Sequence, residues 1–268
     1  MYQFLRQSSC LKQSDSATHK DMKFGLIGHP IEHSLSPALF KAGYNGLYPY
    51  DLIETPDFEE AYSIFLKDYD GINVTAPFKE LAMKKADIIS EECQMIGATN
   101  LLIKTKDGVK AYNSDFLGVR LLLQGISTGM TSKPRVLIVG MGGAGKAAAA
   151  AAKSSGYETA LINRTQYNPE ILPLNEFCNE FRKADIIIYN LPVRIPQVDL
   201  LSEEDLCTGN RKTILEANYR HPEFNIQHPN ISYVDGKEWL LMQAVTGYEI
   251  FTGKTPDYDA MKAVIKSK

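Results

Sequence analysis

Arg135-Val-Leu-Ile-Val-Gly-Met-Gly-Gly-Ala-Gly145 is the stretch on which the fold turns. Residues 135–139 form a continuous apolar run, the pattern of a strand buried on both faces of a parallel sheet. Gly140, Gly142 and Gly145 then fall at the GxGxxG spacing, and the alanine-rich residues 146–153 continue as a helix closed by Gly156. Such glycines permit a tight turn and let the backbone of Gly142, Gly143, Ala144 and Gly145 approach a pyrophosphate at the positive end of a helix. The pattern alone is weak. A strand before it, a helix after it and a second strand at 159–162 supply the context that a dinucleotide site requires.

The second strand ends in Asn163-Arg-Thr165, where an NAD site usually carries an acid for the ribose hydroxyls. Arg164 can hold a 2′-phosphate and Thr165 can add a hydroxyl, which favours NADP; the plain alternative is a surface arginine. Further apolar strands are expected at 185–189, 213–216 and 231–234, with Asn190-Leu-Pro192 and Asn218-Tyr219 just past strand ends. A long amphipathic helix over 238–251 puts Trp239, Met242, Val245 and Ile250 in a core and leaves Gln243 among them as a polar group wanting a partner. A last helix is expected over 258–266.

Before the glycine loop the chain reads differently. Residues 1–21 lack periodicity and lack the apolar core of a signal peptide, and are expected to be a disordered extension. A strand at 23–27 runs into Gly28-His-Pro-Ile-Glu-His-Ser-Leu-Ser-Pro37. Ser36-Pro37 is a helix-start signal, so Ser36 reads first as a cap. Ser34 and Ser36 together could instead present hydroxyls to a polar ligand, while His29 and His33 read as structural. A strand at 48–53 and a helix at 58–66 follow. Gly71-Ile-Asn-Val-Thr-Ala-Pro-Phe-Lys79 closes a strand at Pro77 and opens a helix expected over 79–89. Thr75 and Lys79 flank that turn, and a lone lysine there is ordinarily just solvated. Gly97-Ala-Thr-Asn100 leads into a strand at 101–103, Asp107-Gly108 signals a hairpin, and Tyr112-Asn-Ser-Asp115 precedes a helix over 116–123. Asp115 reads as a good N-cap, a role that does not exclude function. The small, polar residues 125–133 make a domain boundary.

At 268 residues the chain can hold two modest domains, and a net charge of −3 is too small to suggest a nucleic-acid surface or a polybasic membrane patch. No apolar run approaches the ~20 residues of a membrane span. The four cysteines form no CxxC pair and have no histidine cluster nearby, so disulfides and structural zinc are not expected and a reducing cytoplasm fits.

Taken in order, these motifs make the chain from about Met22 onward resemble the shikimate dehydrogenase family. The resemblance implies an α/β protein of two domains: an N-terminal α/β substrate domain (22–124, completed by C-terminal helices at 240–268) and a Rossmann-type doubly wound dinucleotide-binding domain (125–239). It implies that Ser34 and Ser36, with Tyr219, hold the carboxylate of a small-molecule substrate. Thr75, Asn100 and Gln243 would grip ring hydroxyls, and Lys79 and Asp115 would form the catalytic pair. NADP would be held by Gly140, Gly142, Gly143, Ala144 and Gly145 with Asn163, Arg164 and Thr165, and no metal would be required. The implied reaction is the reversible reduction of 3-dehydroshikimate to shikimate, by a monomer or homodimer. The chain departs from the family pattern at Asn168, a place often basic; at Asn190-Leu-Pro192, where Asn-Ala-Thr is usual; at Glu238, where glycine is common; and at Ala217, often methionine. Two other readings stand beside this one: a quinate/shikimate dehydrogenase with relaxed cofactor use, and a non-catalytic dinucleotide sensor.

Overall fold

A computed structural model describes residues 22–267; the extension expected over 1–21 lies outside the described residues. Twelve strands and eleven α-helices follow one another among them. The first half runs β1 (Phe24–Gly28), α1 (Ser36–Gly43), β2 (Tyr50–Glu54), α2 (Phe58–Asp68), β3 (Gly71–Val74), α3 (Lys79–Lys85), β4 (Ile88–Ile89), α4 (Glu91–Ile96), β5 (Leu101–Thr105), β6 (Gly108–Tyr112) and α5 (Ser114–Ser127). The second runs β7 (Arg135–Val139), α6 (Gly143–Ser154), β8 (Glu158–Ile162), β9 (Ile171–Leu172), α7 (Phe177–Lys183), β10 (Ile186–Tyr189), α8 (Pro196–Asp199), α9 (Glu203–Cys207), β11 (Lys212–Glu216), β12 (Ile231–Val234), α10 (Gly236–Thr252) and α11 (Tyr258–Lys266).

The chain divides into two compact units, each built on a six-stranded sheet. The first takes the chain through Ile89, Thr99–Tyr112 and the chain from Ala244 onward; the second takes Ser90–Ala98 and Asn113–Gln243. These limits differ from the boundaries at 124/125 and 239/240 expected from sequence. α5 packs along α6 and α4 also meets α6, so residues 113–124 and 90–98 cluster with the glycine-loop unit. The polar stretch at 125–133 is in part helix, since α5 continues to Ser127.

In the first unit the strand order is β2-β1-β3-β5-β6-β4, with β1 parallel to β2 and β3, and β5 antiparallel to β3 and β6. The hairpin forms where Asp107-Gly108 signals it: Thr105 pairs with Gly108, whose φ of 117° is in the range where glycine carries no Cβ penalty. The helix expected over 79–89 ends at Lys85 instead, because Ile88 and Ile89 pair with Lys110 and Ala111 as a short parallel edge strand. Two apolar residues have no period by which to be told apart from a helix end. An aromatic cluster fills this core: the Phe24 and Phe251 rings stack at 4.9 Å, and Phe40 sits 4.8 Å from both Tyr50 and Tyr248. The last residues of α10 are pinned there by the Tyr44 hydroxyl, which donates to the Tyr248 carbonyl at 2.8 Å.

In the second unit the order is β12-β11-β10-β7-β8-β9 and every pairing is parallel. Numbered from β7, this is the 3-2-1-4-5-6 order of a doubly wound sheet, whose direction of winding reverses between β7 and β10. At the start of β7, Arg135 is a charge hub. It reaches Glu180, 2.7 Å away and buried, and it also pairs with Glu158, while Lys183 meets Glu180 at 2.7 Å. Burial pushes the Glu180 carboxyl up, but the hydrogen bonds from Lys183 and Arg135 outweigh it and leave it below the usual carboxylate range. A carboxylate depressed in the folded state adds stability above its unfolded pKa, ~4.3, and loses it as pH falls through the lower folded value. Glu180→Gln is therefore expected to cost about 2 kcal/mol at pH 7 by denaturant melts, and to flatten the loss of stability below about pH 4.

Candidate active site

In the first unit the chemistry-bearing residues gather at one edge of the sheet. Ser34 and Ser36 follow β1, Thr75 and Lys79 follow β3, and Asn100 precedes antiparallel β5, whose start lies beside the end of β3. Carboxyl ends of parallel strands are where open α/β sheets bind ligands. The backbone fixes this edge tightly. The Thr75 N–H donates to the Ile27 carbonyl at 3.0 Å and the Thr99 N–H to the Lys79 carbonyl at 3.1 Å. Buried Asn100 accepts at its carbonyl from the Val74 N–H at 2.8 Å and from the Asn73 amide at 3.4 Å. Asn73 in turn accepts from the Tyr50 hydroxyl at 2.7 Å, so it is a structural residue.

The serine loop corrects the sequence reading. α1 begins at Ser36 with Leu35 at the N-cap position, and no side chain caps it as Ser36 was expected to. Ser34 Oγ instead accepts from the Ser36 N–H and donates to Ser36 Oγ, both at 3.2 Å. The two hydroxyls therefore lie side by side, as the ligand alternative requires, with the Ser36 carbonyl held by the Tyr248 hydroxyl at 3.1 Å.

In the second unit Asp115 lies in the first turn of α5 and is not its cap. Asn113 is, its side chain accepting from the Phe116 N–H at 3.1 Å while its amide donates to the Ala98 carbonyl at 3.1 Å. Next to Asp115, Ser114 donates to Gln243 Oε1 at 3.2 Å, and Gln243 donates to the Leu240 carbonyl at 3.0 Å. α5 and α10 cross at Gly118, where a β-carbon would fall 2.6 Å from the Gln243 nitrogen. The helix turn that carries Asp115 is thus held beside Gln243. Half-buried Tyr219 follows β11, and Gly236 packs so closely on it that a β-carbon would sit 2.8 Å from its nitrogen.

The glycine loop meets the requirements of a dinucleotide cradle. A β-carbon on Gly145 would fall 1.8 Å from the Gly140 oxygen, Gly140 has φ of 90°, and around Gly142 and Gly143 there is open space. The Asn163 side chain accepts from the Met141 N–H at 3.2 Å and donates to the Thr165 carbonyl at 2.9 Å, leaving Arg164 and Thr165 exposed beside the loop. Past β10, Asn190 Oδ1 is buried without a hydrogen-bond partner among the described residues.

Some of what matters here has no signal in the sequence. The Tyr167 hydroxyl donates to the Met141 carbonyl at 3.1 Å, a tie across 26 positions. Tyr189 holds the loop after β10 by donating to the Val193 carbonyl at 2.7 Å, and burial pushes its phenol up to about 12. Nor are the cysteines uniformly far from histidine: Glu203, Cys207 and His228 approach within 4.8 Å. Asn230 N–H donates to His228 Nδ1, so Nε2 carries the proton and donates to the Glu203 carboxylate, 2.9 Å away. The three cysteines within the described residues are unbridged.

Residues 26–102 match the shikimate dehydrogenase substrate binding domain. Over 93% of its length the chain is 30% identical to the shikimate dehydrogenase (NADP(+)) of Methanococcus maripaludis, 98% of which is covered. The chain belongs to the shikimate dehydrogenase family. It is also 29% identical over 91% of its length to the pentafunctional AROM polypeptide of Candida tropicalis, and spans only 18% of that polypeptide. Among solved structures, the shikimate 5-dehydrogenase of Thermus thermophilus in complex with NADP(H) and shikimate matches with a TM-score of 0.75 at 25% identity, covering 92% of this chain and 99% of that one. The two α/β units are the fold of the shikimate dehydrogenases, and no helix of the described residues is long and apolar enough to cross a membrane. In this family member the Asn113 cap orders the turn that carries Asp115. Asn113→Ala should cost about 1–2 kcal/mol in thermal or denaturant melts, whereas Ser90→Ala, at a helix start with no side-chain cap, should cost less.

Proposed function

We propose that the protein catalyses the NADP-dependent, reversible reduction of 3-dehydroshikimate to shikimate, a step toward chorismate and the aromatic amino acids. The observation that supports this most is the chemistry of the first unit's sheet edge. It ends in hydroxyl, amide and ammonium side chains (Ser34, Ser36, Thr75, Asn100, Lys79) where an apolar pocket would end in leucines. Donors of that kind suit a small ring bearing a carboxylate and several hydroxyls.

In this reading Ser34 and Ser36, with Tyr219, receive the carboxylate, and Thr75, Asn100 and Gln243 receive ring hydroxyls. NADP, held by Gly140, Gly142, Gly143, Ala144, Gly145, Asn163, Arg164 and Thr165, supplies or accepts the hydride when bound. As the carbonyl is reduced its oxygen gains alkoxide character, which the Lys79 ammonium stabilises and then protonates. Asp115 orients that ammonium. In the oxidation direction Lys79 takes the hydroxyl proton back. The reaction is assigned to the cytoplasm and to a monomer or homodimer, a setting that suits unbridged cysteines.

A quinate/shikimate dehydrogenase with relaxed cofactor use is the second reading. It is favoured by Asn168, whose side chain accepts from the Glu170 N–H at 2.8 Å and carries no charge for a phosphate. A non-catalytic sensor would have no need of both Lys79 and Asp115.

Steady-state rates with shikimate and quinate, each crossed with NADP⁺ and NAD⁺, separate these readings. Turnover is expected with shikimate and NADP⁺. Lys79→Ala should lower kcat at least about 10²-fold with little change in KM for shikimate. Wild-type protein inactive in all four combinations would overturn the enzyme reading.

A further inference from the structure

The loop from Asn163 to Glu170 holds one cation, Arg164, and one acid, Glu170. Glu170 is neutralised by Lys153, 2.8 Å away on the outward face of α6. Asn168 turns its oxygen onto the Glu170 N–H and is spent in that local turn. A phosphate monoester carries about −1.5 to −2 charges at neutral pH, so a single arginine leaves it half matched.

A second cation stands at the start of α6. Lys146 occupies the first turns of α6, where a positive charge opposes the helix dipole and where no acidic residue of the first turn offsets it. Helical side chains lean toward the N-terminus, which carries this ammonium back over the glycine loop. There it lies 5.9 Å from the centre of the Tyr167 ring, whose hydroxyl is tied to the Met141 carbonyl at 3.1 Å. Met141 is therefore gripped at its N–H by Asn163 and at its carbonyl by Tyr167, and Arg164, Thr165 and Gln166 are displayed between those anchors. Neither Lys146 nor Arg164 forms an ion pair among the described residues. The Tyr167 ring itself is 56% exposed. A helix start that concentrates unpaired positive charge, with the neighbouring acid already neutralised, is arranged for an anion.

We infer that Lys146, over the Tyr167 ring, is a second cation, beside Arg164 of the same loop region, for the adenosine 2′-phosphate of the cofactor. This rests on the dinucleotide reading of the second unit and deepens it: the choice of NADP over NAD is shared between the loop after β8 and the helix after the glycine turn. Lys146 acts on the phosphate alone and takes no part in the chemistry.

Calorimetric titration of the full chain with adenosine 2′,5′-bisphosphate and with 5′-AMP tests this without turnover. Wild-type protein is expected to prefer the bisphosphate by at least about tenfold, a preference that weakens with salt. Lys146→Gln should lower affinity for the bisphosphate about tenfold and leave that for 5′-AMP within about twofold; Arg164→Gln should act likewise. Tyr167→Ala should follow Lys146→Gln in direction, and Tyr167→Phe, which keeps the ring, should lose less. Retained 5′-AMP binding shows that each variant is folded. Equal losses for both nucleotides, or an undiminished preference in Lys146→Gln, would overturn the inference and leave the dinucleotide reading standing. Wild-type protein that binds neither nucleotide would overturn both.

Discussion

The Gly140 peptide oxygen stands where residue 145 would have to put a side chain, 1.8 Å from an ideal β-carbon. Much of the second unit depends on that contact. It allows the chain to leave the central strand β7, turn sharply and enter α6 with its first N–H groups facing the loop. It also sets how near α6 can lie to the sheet, a closeness that the buried alanines 147–149, 151 and 152 then maintain. Once α6 is in place, α5 packs on it and carries Asp115, and α10 crosses α5 at another glycine, Gly118, bringing Gln243 beside the same turn. Backbone approaches that tolerate no side chain thus position groups that are far apart in sequence.

The first unit uses a different device. Its sheet edge is held by buried polar groups whose hydrogen bonds are satisfied locally: Thr99 Oγ1 donates to the Tyr112 carbonyl at 2.6 Å and accepts from the Leu101 N–H at 3.2 Å, and Asn73 bridges Tyr50 and the Asn100 carbonyl. Buried polar groups satisfied in this way specify one arrangement, because any other leaves them unpaired. Polar residues at this edge therefore divide in two. Some, like Asn73 and Thr99, hold the frame, and others, like Ser34, Ser36 and Thr75, remain near the loop ends where a ligand could meet them.

The central strands of the second sheet were legible because burial on both faces writes itself as an uninterrupted apolar run, and Arg135–Val139 has the limits that this pattern implies. The last helix, Tyr258–Lys266, is likewise bounded as its periodicity suggests. Helix starts were less legible. Serine and aspartate are good caps wherever they occur, but α1 starts at Ser36 with no side-chain cap, and α5 takes its cap from Asn113, two residues before Asp115. Local sequence offers several acceptable caps within a few residues, and tertiary packing selects among them. Pairings such as Ile88 with Lys110, or Tyr167 with the Met141 carbonyl, join segments that no local pattern connects. The candidate residue types were visible, whereas the ties that hold their loops were not.

Helix α10 starts among the residues of the second unit and finishes among those of the first, and the aromatic cluster of the first unit is incomplete until Tyr248 and Phe251 arrive. Chains are made from the N-terminus, and domains tend to fold as their residues emerge. The first unit must therefore wait for Tyr248 and Phe251 to be synthesised, while the unit inserted within it has all its strands, from β7 to β12, available earlier. The later of the two sheets in sequence is thus the earlier one able to close its core. The earlier sheet keeps an open aromatic face until those residues emerge, a window in which a nascent chain is exposed to aggregation.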